Sequence, residues 1–398
     1  MLPSDLEETE ATINVLAIGM LDSIHFARWL WQFREENIHF SIFAAKKYKY
    51  LNPLLVSLLN SDDGAIFKLV SSQTHSRLSG YFDFLKFELF NQKDISSFRK
   101  RRLLKLVSKN SFNFIHALEI QGAGYLLSQI GLTQLNKSKI ILTNWGSDIY
   151  FFKEQPKHLE LIKKALAIAD FYSAECRRDY ALARELGFGG RELPCIPNAG
   201  GFYLNQLAKP RTKTSTRFQI MVKGYGGRFG RADIPIGLIP KVVELFPKFD
   251  FFIYSATPDV VSLIESLSPK IREKIRLATV REKISRDEFL EEFAKSRIYI
   301  GCSKSDGIST SFLEALAHGA YPIQTNTSCA AEWIEKGFIA TLVNQDSGQI
   351  FEAIKETLRD DDLVDTAAVQ NIGLARRHLE YNFLQSQALT FYHPAALL

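Results

Sequence analysis

Short apolar runs alternate with amphipathic stretches from Ile13 onward. Short apolar runs bounded by turn residues read as strands buried on both faces, and apolar positions recurring every three to four residues read as helices. On this basis Ile13–Ile18, Phe40–Ala44, Phe112–Ala117, Ile140–Thr143, Phe171–Ala174 and Leu193–Ile196 are predicted strands, with an aromatic-rich helix over Ile24–Glu35. A second alternation begins at Phe218–Val222 and continues through Asp250–Tyr254, Ile275–Ala278, Ile298–Cys302 and Tyr321–Gln324. Ser285-Arg286-Asp287-Glu288 has capping-box spacing ahead of a helix over Phe289–Lys295, and the chain after Leu363 is mostly helical. Strand–helix alternation predicts an α/β protein with parallel sheets and crossover helices.

Between the two series lie Pro197-Asn198-Ala199-Gly200-Gly201 and a polar segment over Ala208–Arg217. Such composition reads as a linker. The predicted organisation is a polar tail at 1–12, a first Rossmann-like domain at 13–205, a linker at 206–217 and a second domain at 218–375. A helical segment at 376–398 closes the chain, with the first domain as its candidate packing partner. Two doubly wound domains would face a cleft between the carboxyl ends of their sheets, where open α/β folds bind ligands.

Composition narrows the class. With 46% hydrophobic and 23% charged residues the 398-residue chain is that of a globular protein. The formal charge of +5 does not point to nucleic acid. Cys176, Cys195, Cys302 and Cys329 lack CxxC pairing, which suggests a reducing compartment and no zinc site. There is no apolar run of about 18 residues and no basic start with an apolar core, so a cytoplasmic location is expected.

The chemistry concentrates in Ser303-Lys304-Ser305-Asp306-Gly307-Ile308-Ser309-Thr310-Ser311-Phe312-Leu313-Glu314. A strand runs into a polar loop that feeds a helix starting near Ser309. Backbone N–H groups of Ser309, Thr310 and Ser311 would face the end of that strand and suit phosphate. Asp306 and Glu314 bracket the site, so its ligand should carry both phosphate and hydroxyls. An ordinary Asp-Gly turn with a Ser-capped core helix is the plain alternative.

Val222-Lys223-Gly224-Tyr225-Gly226-Gly227-Arg228-Phe229-Gly230-Arg231 follows the first strand of the second series. Glycines let backbone approach a diphosphate, and Lys223, Arg228 or Arg231 would neutralise it. A basic surface loop is the other reading. Gly224, Gly226 and Gly230 miss GxGxxG spacing by one residue, and no acid follows at the ribose position, so a nicotinamide or flavin enzyme is disfavoured. In the first series, Gly19, Asp22, Ser23 and His25 line one strand-to-helix turn. His116 and Glu119 close another strand, and Asn144-Trp145-Gly146-Ser147-Asp148 a third. His116 is either catalytic or a satisfied core histidine, and Asp148 either meets substrate or caps a turn. Arg99–Lys109 is basic and amphipathic, and with Lys46, Lys47 and Lys49 would suit an anionic membrane surface or simply a solvated face. The Asp360-Asp361-Asp362 run reads as solvated charge.

The Asp306–Glu314 stretch resembles the donor-site signature of family 4 glycosyltransferases of the GT-B fold: an acid, a Gly, six residues and a Glu. Asp306 stands where that family usually has Glu, and Pro322 comes one residue late after Gly319. The resemblance implies a metal-independent, retaining hexosyltransferase. A UDP- or GDP-sugar would be co-substrate and a glycan or lipid-linked acceptor would receive the sugar, in cell-surface polysaccharide or glycolipid synthesis. With the resemblance, the candidate catalytic set is Asp306, Lys223, Arg228, His116 and, from its place at the strand end, Glu119. Donor binding falls to Gly19, Gly224, Arg231, Gly307, Ile308, Ser309, Thr310, Ser311 and Glu314. The acceptor side comprises Asp22, Ser23, His25, Trp145 and Asp148. The family often has a second His two residues after the first; here that position is Leu118. A related epimerase or phosphorylase, or a non-catalytic sugar-nucleotide or glycan-binding protein, is the alternative.

Overall fold

The computed structural model describes residues 12–48, 50–61, 66–70, 95–130, 138–204, 212–282 and 284–393, with the side chains of 95–97 excepted. Lys49 and the first half of the predicted 206–217 linker lie outside the described residues. The chain divides into two compact units, one of residues 1–174, 180–194 and 388–398, the other of 175–179 and 195–387.

The first unit is built on β1 (Ile13–Gly19), β2 (Ile38–Ala44), β3 (Phe67–Leu69), β4 (Phe114–Leu118), β5 (Lys139–Thr143), β6 (Phe171–Ser173) and β7 (Arg191–Glu192). Their order is β3-β2-β1-β4-β5-β6-β7, all parallel. The second unit carries β8 (Gln219–Lys223), β9 (Asp250–Ala256), β10 (Ile275–Thr279), β11 (Ser296–Gly301), β12 (Tyr321–Thr325) and β13 (Thr341–Val343) in the order β10-β9-β8-β11-β12-β13. Both are Rossmann-like sheets in which chain direction across the sheet reverses beside the first strand, at β1/β4 and β8/β11. Loops leaving adjacent strands at such a point diverge and leave room for a ligand.

The strand expected over Leu193–Ile196 is displaced to Arg191–Glu192. Leu193 still donates to the Tyr172 carbonyl at 2.8 Å, but Pro194 has no N–H to extend the ladder. Residues 195–204 side with the second unit. Phe202 bridges Glu380, Tyr203 stacks on Tyr381 at 4.2 Å, and a Cβ on Gly201 would lie 2.6 Å from the Tyr381 Cα. Only glycine allows that approach. The helices Asp361–His378 and Tyr381–Leu389 follow, and Phe391 and Tyr392 are wholly buried in the first unit.

That burial explains His116. Trp29 Nε1 donates to Tyr392 Oη at 3.0 Å, Tyr392 Oη lies 2.6 Å from His116 Nδ1, and His116 Nε2 lies 2.6 Å from Thr143 Oγ1. Thr143 Oγ1 is in turn 2.6 Å from Ser173 Oγ. Both ring nitrogens are used and the imidazole is fully buried, so the expected catalytic role of His116 gives way to a core role. Burial holds its pKa down at about 3.

Two of the four cysteines are paired. Cys176 and Cys329, 153 residues apart in sequence, are joined as a disulfide, while Cys195 and Cys302 are free. Sequence spacing does not reveal the pair because folding alone brings the two segments together. Glu332 lies beside it, accepting from the Arg177 and Arg178 amides at 2.9 and 3.1 Å. The Asp360–Asp362 run starts a helix: Asp360 caps the Leu363 amide at 2.8 Å, and Asp361 pairs with buried Arg297 at 2.7 Å.

A histidine held neutral in the fold but free to charge when unfolded makes the unfolded state the stronger proton binder between about pH 3 and 6.5. Stability contributed by this group is therefore present above 6.5 and is lost as pH falls. We predict that His116 alone lowers stability by about 2 kcal/mol between pH 7 and pH 5. Denaturant titrations of the unaltered protein and His116→Gln check this; the variant should lose that part of the pH slope.

Candidate functional site

The helix Thr310–His318 begins where the loop after β11 ends. Ser309 is its N-cap residue, with φ −67° and ψ 117°, yet its side chain does not cap the helix. Its Oγ instead accepts from Lys223 Nζ at 3.4 Å and lies 3.5 Å from Tyr299 Oη. Among the described residues, the amides of Ser309, Thr310 and Ser311 meet no acceptor. Ile308, Ser309 and Ser311 are nevertheless buried. Unpartnered donors at a helix N-terminus suit an anion.

β8 ends on Lys223, next to the end of β11 in the sheet register. Lys223 Nζ stands 3.7 Å from Asp306 Oδ2 and 5.1 Å from the Tyr225 ring centre. Burial alone would push the Lys223 pKa down. The Asp306 carboxylate, with Tyr299, Tyr225 and Glu314, outweighs burial and holds the pKa above its ordinary value. An ammonium thus sits beside Ser309, the residue that opens the helix.

The loop after Lys223 needs its glycines because it folds against its own neighbours. A Cβ on Gly224 would lie 2.8 Å from both the Ala256 Cα and the Tyr254 carbonyl, and one on Gly230 would lie 1.9 Å from the Tyr225 carbonyl. Gly226 donates to Thr257 Oγ1 and Gly227 to Asp259 Oδ2, each at 3.0 Å. Lys304 donates to the Phe229 carbonyl at 2.7 Å, so this loop and the one carrying Asp306 are tied together. Arg228 is exposed, with its guanidinium 5.5 Å from the Phe229 ring centre. Arg231 forms a bidentate pair with Asp233 at 2.9–3.2 Å and reaches Gln345 Oε1 at 3.3 Å. Its charge is thereby shared with Asp233.

Arg178 and Arg286, to which sequence reading gave no site role, help to hold this site. Arg178 Nη2 donates to the Asp306 carbonyl at 3.0 Å and Nη1 to that of Thr327 at 3.4 Å. Cys329 donates to the Gly307 carbonyl at 2.7 Å. The Asp306–Gly307 turn is thus held from both sides. Glu314, 2% exposed, pairs through Oε1 with Arg286 Nη1. Arg178 left no sequence signal; Arg286 lay inside the recognised capping box, whose other members drew notice.

In the first unit the predicted residues divide between structure and open chemistry. Gly19 makes room for the Phe26 ring, which would lie 2.3 Å from a Cβ there. Ser23 caps the helix Ile24–Trp31 by accepting from the His25 amide at 3.2 Å. Asp22 and His25 are half-buried, and His25 meets Trp145 edge-on at 6.1 Å. Asp148 Oδ2 accepts from the amides of Ile120 at 2.8 Å and Trp145 at 3.0 Å, tying the ends of β4 and β5. Glu119 differs. It is 4% exposed, its backbone sits at φ 111°, and its Oε1 has no hydrogen-bond partner. A non-glycine residue held there stores strain. Burial raises the Glu119 pKa, opposed by Lys46 and the amides of Gly122 and Ala123.

Comparisons with known proteins bear on both units. Residues 14–174 match the family described as glycosyl transferase 4-like. A sucrose-phosphate synthase from Thermosynechococcus elongatus superposes with a TM-score of 0.70 at 12% identity, covering 96% of this chain and 99% of that one. HepE from Anabaena, crystallised with UDP-glucose, gives 0.64 at 12% identity, with coverage of 95% and 99%. A Listeria monocytogenes protein described as a UDP-N-acetylglucosamine 2-epimerase gives 0.61 at 12% identity, with coverage of 96% and 95%. No curated protein matches by sequence. The chain is similar to family 4-like glycosyltransferases, and its fold is GT-B.

The glycine requirement is testable without a ligand. Gly224→Ala should destabilise the second unit by about 1–3 kcal/mol. Gly237→Ala, within the helix Asp233–Leu245 and with nothing within 4 Å of its new Cβ, should be neutral or stabilising by up to about 1 kcal/mol. Thermal or denaturant midpoints compare the two.

Proposed function

We propose that this chain is a retaining hexosyltransferase that moves a sugar from a nucleoside-diphosphate donor to a hydroxyl of a glycan or lipid-linked acceptor. The observation that carries the reading is the set of three amides, Ser309 to Ser311, without acceptors among the described residues, with Lys223 Nζ 3.4 Å from Ser309 Oγ. The donor's diphosphate would lie on those amides, with Lys223 and Arg228 neutralising the charge that grows as it departs. Asp306, near Lys223, would meet the donor sugar, and the Glu314 carboxylate would accept from ribose hydroxyls. HepE was crystallised with UDP and with UDP-glucose, which favours uridine as the base. With phosphate charge met by amides and side-chain cations, the chemistry requires no metal. The departing phosphate would assist removal of the acceptor's proton, so the sugar is received on the face it left.

A place at the inner membrane face in cell-surface polysaccharide or glycolipid synthesis fits the helix Ile95–Lys109. Leu103 and Val107 are buried, whereas Arg101, Lys105 and Lys109 are exposed. An outward basic row suits an anionic bilayer and lipid-linked acceptors. Among the described residues no helix is long and apolar enough to cross a membrane. The epimerase reading shares the fold and donor chemistry; it predicts an isomerised nucleotide sugar and no transfer.

UDP should raise the melting temperature without added divalent metal, because a ligand that binds only the native state stabilises it. Lys223→Met should weaken UDP binding about 10–100-fold, the loss of one charge-assisted contact. No shift with UDP or GDP, alongside a shift with free glycan, would turn the reading to a glycan-binding protein.

A further inference from the structure

We propose that Arg286 is a positioning residue that orients the Glu314 carboxylate and thereby sets the site's demand for ribose hydroxyls. This rests on the reading that Glu314 meets the donor's ribose. The Glu314 side chain is almost wholly withdrawn from water, and a buried carboxylate needs a partner. Among the described residues the one cation within ion-pair distance is Arg286, whose Nη1 donates to Oε1. Glu314 Oε2 has no hydrogen-bond partner among them. His318 does not compete for the carboxylate, because its Nδ1 donates to the Glu314 backbone carbonyl at 2.7 Å. One carboxylate oxygen is therefore held and the other left to accept.

Arg286 is itself placed by local structure. It is the first residue of the helix Arg286–Lys295, behind a complete capping box in which Ser285 Oγ accepts from the Glu288 amide at 3.2 Å and Glu288 Oε2 from the Ser285 amide at 3.1 Å. Its guanidinium lies 5.8 Å from the Phe202 ring centre. A planar guanidinium with an anchored backbone limits rotation of its carboxylate partner, which a flexible ammonium does less well. Without Arg286, the carboxylate turns freely toward Lys223, whose charge already feels it. Its open oxygen then no longer marks the ribose position.

Calorimetric titration of UDP and 2′,3′-dideoxy-UDP into the unaltered protein, Arg286→Met, Arg286→Lys and Glu314→Gln tests the assignment. A site built to accept from hydroxyls rejects the analogue lacking them, so the unaltered protein should prefer UDP by about tenfold or more. Arg286→Met and Glu314→Gln should both bring the preference to within about threefold of unity, and Arg286→Lys should retain part of it. If Arg286→Met weakens both nucleotides equally and keeps the preference, its role is general electrostatics and the inference fails. Equal binding of the two nucleotides by the unaltered protein also overturns it, while leaving the donor reading intact. Binding of neither overturns the donor reading and this inference with it.

Discussion

Three backbone amides that the fold leaves without acceptors, at Ser309, Thr310 and Ser311, determine what the second unit can do. Buried N–H groups are costly unless met, and a helix cannot meet its own first donors. The usual remedy, a capping side chain, is absent because Ser309 Oγ is turned to Lys223 and Tyr299. The demand is left for an anion. Parallel pairing of β8 and β11 brings Lys223 to the same place, and the glycine loop folds back over β9 because no Cβ obstructs it. Arg178, Cys329 and Lys304 then hold the two loops by backbone contacts.

The first unit has the same topology and spends the corresponding positions differently. His116 is consumed in a chain of buried hydrogen bonds that includes Tyr392 from the far end of the sequence. Asp148 ties two loops together by accepting from their amides. Glu119 keeps a buried, unpartnered Oε1 on a strained backbone. One architecture therefore leaves open donors beside a cation in one unit and a largely self-satisfied edge in the other.

Much of this was legible in the sequence because it follows from local rules. Apolar strand runs, the helix start at Ser309, the Gly-rich turn after Lys223 and the capping box at Ser285 are each written within a few residues. Strands β3 and β13, each three residues long, were not among the predicted strands. What sequence could not disclose depends on distant partners. Whether His116 is spent or available turns on Tyr392, 276 residues away. Glu314 has its guanidinium partner 28 residues upstream, and Asp306 has its Arg178 clasp 128 residues upstream. Cys176 and Cys329 carry no spacing signal at all.

Hydrogen exchange of the Gly307–Glu314 segment, with and without UDP-glucose, tests the central claim most directly. Without ligand the amides of Ser309, Thr310 and Ser311 have no acceptor among the described residues and should exchange fast, although Ser309 and Ser311 are buried. With the nucleotide sugar present, the account predicts that these three slow together, and that Lys223→Met reduces the effect. Exchange in this segment unchanged at nucleotide concentrations that saturate binding elsewhere would contradict it, for the diphosphate would then lie away from the helix start.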